Sequence, residues 1–233
     1  TADAIDNTGS ILGQSGSLTF NALTNSGDIY GSSRTLGGAS LINTGGEIGS
    51  SGAIDIAASM LDNRSGLITS GAGGLTVAGA VLLNASGTLG GDGDVTLNTG
   101  NIDNGTGTIA AGRDLVITAA TLANAAGGGL WAERGARLSV SDTLTNRGSI
   151  GAGTLLQANA ATLDNGSGTD VGTLAAGVHL SLGFTNANLG RLVTGSDLTL
   201  APTGDYIHAA SANLAALGLL TLNIGGSLTN QGH

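Results

Sequence analysis

The sequence predicts an all-β chain folded as a right-handed parallel β-helix, a solenoid of about 12 coils of 18–22 residues. Three observations predict it: an apolar-x-Asn triplet that recurs along the chain, short alternating segments between its copies, and a composition suited to a narrow repetitive core.

The triplet appears as Ile5-Asp6-Asn7, Leu23-Thr24-Asn25, Leu41-Ile42-Asn43, Leu61-Asp62-Asn63, Leu82-Leu83-Asn84 and Ile102-Asp103-Asn104. It continues as Leu122-Ala123-Asn124, Leu144-Thr145-Asn146, Leu163-Asp164-Asn165 and Phe184-Thr185-Asn186, and closes with Leu228-Thr229-Asn230. From Asn7 to Asn186 the asparagines are spaced by 18, 18, 20, 21, 20, 20, 22, 19 and 21 residues. Asn230 follows 44 residues later, two periods of 22, with Tyr206-Ile207-His208 at the midpoint. That midpoint reads as a degenerate coil around 206–214. Residues 1–233 form one β-helical repeat domain, expected to be a piece of a longer protein.

Each period holds two strand-like pieces. A short one follows the Asn, as in Gly27-Asp28-Ile29, Gly66-Leu67-Ile68 and Gly148-Ser149-Ile150. An alternating one comes later, as in Ile54-Asp55-Ile56, Leu75-Thr76-Val77, Val95-Thr96-Leu97 and Leu180-Ser181-Leu182. Period-two alternation puts both apolar residues of each such piece on one face. Frequent glycine disfavours a helix, at about 1 kcal/mol per residue. A strand this short cannot bury its apolar face alone, but stacked copies build a continuous core. Identical sequence in every period calls for identical strand direction, hence parallel stacking; the right-handed sense follows the general handedness of parallel crossovers. At parallel-strand spacing, twelve coils make a rod roughly 55 Å long. Differences in coil length are expected at turns, because a one-residue slip within a strand would turn its core face outward.

Composition excludes several classes. Glycine supplies 43 residues and proline one, which removes collagen and proline-rich linkers. A hydrophobic fraction of 40% is too high for a disordered chain, while 2% aromatic residues is too few for an ordinary two-layer core. Seven arginines against sixteen acidic residues give a net charge of -9, the opposite of a nucleic-acid or anionic-membrane footprint. There is no cysteine, so neither disulfides nor thiolate chemistry contribute. No run of eighteen apolar residues reads as a membrane helix.

The full pattern is Gly-x-Leu-x-Leu, a gap, then Leu-x-Asn-x-Gly-x-Ile; the residues from Leu138-Ser139-Val140 to Leu144-Thr145-Asn146-Arg147-Gly148-Ser149-Ile150 carry it. So do Ser196-Asp197-Leu198-Thr199-Leu200 and the terminal Leu228-Thr229-Asn230-Gln231-Gly232. This pattern resembles the shaft repeats of filamentous haemagglutinin and of contact-dependent growth inhibition exoproteins, across essentially the whole chain. The resemblance implies a secreted or cell-surface bacterial protein, exported through an outer-membrane two-partner-secretion transporter, that acts as an adhesin or carries a toxin to neighbouring bacteria. The secretion, receptor-binding and toxin regions of that family are not among these residues. A host or bacterial surface receptor is the further partner implied.

Candidate sites are few. Gly71-Ala72-Gly73-Gly74 lacks the lysine of a phosphate loop, and Gly90-Gly91-Asp92-Gly93-Asp94 occurs once where calcium-binding β-helices repeat such a loop. His179 and His208 are 29 residues apart with no supporting ligands, so no metal or cofactor is expected. Polysaccharide-cleaving enzymes need carboxylates clustered on one face. Here Asp6, Asp62, Asp103 and Asp164 share the triplet's middle position but never occur in adjacent copies, and no enzyme is expected. The densest charged cluster, Glu133, Arg134 and Arg137, lies beside Trp131 within the longest interval. An enlarged turn there displaying Trp131 is the alternative reading: an adhesive glycan- or receptor-binding face.

Three structural expectations follow. Asp94, Asp114 and Arg137 should form a column on successive coils. Bare strand edges at the ends should favour end-to-end self-association. The asparagines Asn7, Asn25, Asn43, Asn63, Asn84, Asn104, Asn124, Asn146, Asn165, Asn186 and Asn230 should form a register-fixing ladder, because a stacked amide can donate to one neighbour while accepting from the other.

Overall fold

The computed structural model describes residues 2–167 and 170–231. Among them there is no helix, and nearly all strands belong to two parallel sheets, one of 13 strands and one of 11. Strand order in each sheet follows chain order, so the chain adds one strand to each sheet per turn, about 11 turns in all. This is the parallel β-solenoid read from the repeat, one turn from the expected twelve.

Register explains why the repeat needs Leu, Ile and Val at fixed phases. In the wider sheet Ile54, Leu75, Val95, Leu115, Ala136, Leu156, Leu180 and Leu198 lie directly above one another. A second inward stack in that sheet runs Leu36, Ile56, Val77, Leu97, Ile117 and Leu138. In the narrower sheet Ile29, Ile48, Ile68, Leu89, Ile109, Leu130, Ile150, Leu174 and Leu192 do the same. The triplet's own apolar residue makes a fourth stack, from Leu23 through Leu41, Leu61, Leu82, Ile102, Leu122 and Leu144 to Leu163. These side chains are almost wholly buried and form one continuous core.

The wider sheet is bent. In the strand Val95–Gly105, Val95, Leu97 and Thr99 point inward, then Ile102 and Asn104. Two residues, Gly100 and Asn101, lie between the two sets, whereas the alternation of a straight strand keeps both sets inside only when an odd number lies between them. The bend falls at Gly100, and on the next turn the strand is interrupted at Ala120, between Leu115–Ala119 and Thr121–Asn124.

Coil length varies mainly in the turn after the Asn. Asn25 bonds to the carbonyl two residues on, Asn43 three, Asn124 four and Asn165 seven. The largest excursion contains a small antiparallel pair, Gly166–Ser167 with Asp170–Val171. One extra residue sits inside a strand, where the register shifts between Val140 and Thr143. Near the other end Tyr206–His208 pairs in parallel with Leu228–Asn230, Tyr206 against Leu228 and His208 against Asn230. Large apolar side chains are exposed in the last turn, notably Leu217, Leu219, Leu220 and Leu222.

Candidate functional site

Nine asparagines, Asn7 to Asn165, occupy one corner of successive turns. Eight Nδ2–H···Oδ1 bonds of 2.7–2.8 Å join them, each amide donating to the next turn and accepting from the previous one. Asn25, Asn43, Asn63, Asn84, Asn104, Asn146 and Asn165 have no exposed surface. The second Nδ2 hydrogen is shared between two backbone carbonyls. For Asn84 these are Gly87 in its own turn, at 3.3 Å, and Thr108 in the next, at 3.1 Å. A hydroxyl has one hydrogen and could not satisfy all these acceptors. The amide closes the corner within a turn and locks the register between turns.

Two asparagines of the expected ladder depart from it. Asn186 is exposed and lies in register with Thr162, not with Asn165. Four extra residues in the 165–172 excursion delay the phase, so Ala187 comes under Leu163 and buried Leu189 takes the ladder position. A leucine has no amide, and Asn165 Nδ2 bonds instead to the Leu189 carbonyl at 2.7 Å. Asn230 is exposed and pairs with His208, outside the run of amide bonds.

The aspartates in the triplet have a local role that charge dispersal does not explain. Asp103 Oδ1 accepts the Gly105 N–H at 3.0 Å, Asp62 Oδ1 that of Arg64 at 3.1 Å, and Asp164 Oδ1 that of Gly166 at 3.2 Å. Each cements the chain's exit from the ladder residue, an Asx-type turn. The Arg64 side chain bonds to Asp62, with an ion-pair contact of 2.6 Å, and holds its carboxyl below the usual carboxylate range. Burial alone would raise Asp164, but Arg147, at 2.6 Å, and the Gly166 amide together bring it below that range. A carboxylate whose folded pKa is depressed contributes stability above its unfolded pKa of about 4, lost as pH falls through the folded value. Arg64→Ala should therefore lower the urea midpoint at pH 7 and narrow its difference from wild type at pH 3. Unchanged separation at the two pH values would contradict this.

Trp131 lies on the narrower sheet, in the strand Gly129–Ala132, not in an enlarged turn. The long interval around it comes from the four-residue turn at Asn124 and the register shift after Val140. Leu130 and Ala132 point inward, so Trp131 points out, 43% exposed, over Gly151 of the next turn. Tyr30 shares this outward column and covers Gly49 in the same way. Trp131 Nε1 donates to Glu133 Oε1 at 3.2 Å. Arg134 turns to Asp114 at 2.5 Å, and Arg137, on the other sheet, to Gln157 Oε1 at 2.5 Å. Trp131 and Glu133 are thus brought together, while Arg134 and Arg137 turn to other partners.

The expected charge column is corrected in the same way. Asp94 and Asp114 are neighbours on successive turns, but Arg137 stands beside Val116, and Gly135 is the residue next to Asp114. A two-residue slip preserves the alternation of inward and outward residues, so the apolar pattern cannot reveal it. Arg113 and Arg134 neutralise the two aspartates instead, Arg113 at 3.2 Å from Asp94.

A groove of about 790 Å³ follows the bend of the wider sheet, lined by residues such as Thr118, Ala119, Val140, Ala160 and Phe184, with no carboxylate or histidine among them. His179 meets Thr199 at 3.0 Å and His208 meets Tyr206 at 3.1 Å. Among the described residues no group of three or more His, Cys, Asp or Glu side chains could hold a metal ion.

No curated protein and no solved structure matches the chain. The family model of the haemagglutinin repeat matches residues 1–33, 31–79, 68–148 and 181–232. The interval between the last two matches, 149–180, contains the 165–172 excursion, where the coil is longest and the ladder ends. Repeat, solenoid and family model agree over most of the chain, which belongs to the haemagglutinin-repeat family.

Proposed function

We propose that this solenoid is the structural shaft, or spacer, of a secreted or cell-surface bacterial adhesin or contact-dependent toxin-delivery exoprotein, exported through an outer-membrane two-partner-secretion transporter. The uninterrupted amide ladder from Asn7 to Asn165 carries this reading, since it fixes register over nine successive turns and makes the rod a unit of set length. The groove without carboxylates favours a non-catalytic role.

The second reading, a glycan- or receptor-binding face, is favoured by one observation: Trp131 and Tyr30 lie exposed in one outward column, each over a glycine. Aromatic faces of this kind suit stacking against apolar surfaces of a ligand. One comparison separates the two readings. Two whole coils, residues 84–123, are deleted from the full-length protein, and Trp131→Ala is made separately. For a shaft, adhesion or toxin delivery survives both changes. Loss of adhesion in Trp131→Ala with the fold intact would overturn the shaft reading in favour of the binding face. Failure of the folded deletion variant would overturn interchangeability of the coils.

A further inference from the structure

We propose that Arg34 and the glycine-lined hollow beside it form a binding site for one small monovalent anion, of the class of chloride or formate. In the wider sheet Arg34 stands in register between Gly16 and Ile54, so it occupies an inward core position taken on later turns by Leu75, Val95 and Leu115. The residue is 4% exposed. Its Nη1 donates to the Ser33 carbonyl at 3.0 Å, and its Nη2 to the carbonyls of Gly13, at 2.8 Å, and Tyr30. Nε is buried and meets no acceptor. All three partners are neutral, and none of the ion pairs among the described residues includes Arg34.

A guanidinium taken out of water needs a counter-charge as well as hydrogen bonds. The surrounding chain leaves room for one. Side chains are missing at Gly13 and Gly16, and a Cβ at Gly16 would crowd Nη1 at 3.2 Å. A cavity of about 100 Å³ opens there, lined by Ile11, Ser15, Leu18 and the two glycines as well as Arg34. A water occupies about 30 Å³ in the liquid, so the space suits a small ion with a water or two and excludes a bulky organic anion. One buried positive charge selects one negative charge, because a divalent ion would leave an excess buried in the same place.

Ligand linkage gives the test. Thermal midpoints of the chain and of Arg34→Leu are measured as sodium gluconate is exchanged for sodium formate or chloride at constant ionic strength. The wild-type midpoint should climb with the logarithm of small-anion concentration above half-saturation, and Arg34→Leu should stay on the gluconate baseline. Parallel responses of the two proteins would overturn the site. Where the variant does not fold, the chlorine NMR linewidth of a chloride solution decides. Broadening by the wild-type chain that formate reverses supports the site, and no such broadening overturns it.

Discussion

Asn104→Leu should destabilise the solenoid by about 1–3 kcal/mol for each polar group it strands in the buried corner. There are two such groups: Asn84 Nδ2 loses the acceptor now at 2.8 Å, and Asn124 Oδ1 loses its donor at the same distance. Leucine brings apolar volume of similar size but neither donor nor acceptor. Asn84 keeps its shared bonds to Gly87 in its own turn and Thr108 in the next, so the corner on that side should remain shaped though its amide-to-amide link is lost. Thr106→Ala is the comparison, since its hydroxyl meets only Ser86 at the exposed surface and should cost no more than about 0.5 kcal/mol. Urea melts of the two variants measure the difference, and equal losses would contradict a structural ladder.

Gly107→Ala should be of comparable severity for the opposite reason. A Cβ at this position would land on the backbone oxygen of Asn84 in the preceding turn and within 2.8 Å of its Nδ2. Gly66, Gly87 and Gly172 face the preceding ladder residue in the same way. Backbone oxygen cannot rotate aside, so the two turns must separate, and the Asn84–Asn104 bond must stretch with them. Overpacking of this kind costs about 1–3 kcal/mol. Gly37, where an added Cβ meets nothing within 4 Å, supplies the control. A circular-dichroism melt showing Gly107→Ala no less stable than Gly37→Ala would refute the close approach.

The period, the parallel stacking and the inward residues of both sheets are legible because one physical requirement, an apolar residue on the core face of every turn, is written about every twenty residues. The asparagine corner is legible for the same reason as far as Asn165. Beyond it the Phe184-Thr185-Asn186 triplet has the right residues and an ordinary spacing but the wrong phase, because the longer excursion after Asn165 moves the ladder position on to Leu189, three residues past Asn186. Arg137 is displaced by two residues, which alternation cannot detect. Trp131 sits in a strand that the length of its interval suggested was a turn. The turn-closing use of Asp62, Asp103 and Asp164 depends on backbone geometry that a linear pattern does not contain. Arg34 had a signal: Arg34-Thr35-Leu36 stands in the phase of Ile54-Asp55-Ile56, which sends its first residue inward.

The amide ladder also gives the rod an electrical direction. In a β-sheet backbone dipoles largely cancel, leaving little net moment. The side-chain amides do not cancel, because from Asn7 to Asn146 every Oδ1–Nδ2 pair passes its hydrogen toward the later turn. With an amide dipole of about 3.5 D, the aligned groups add along the axis as peptide dipoles do in a helix. At the later end of the run Asn165 delivers its hydrogens to the carbonyls of Gly172, Leu189 and Arg191. The column is therefore electrically directional, negative toward the earlier turns and positive toward the later ones.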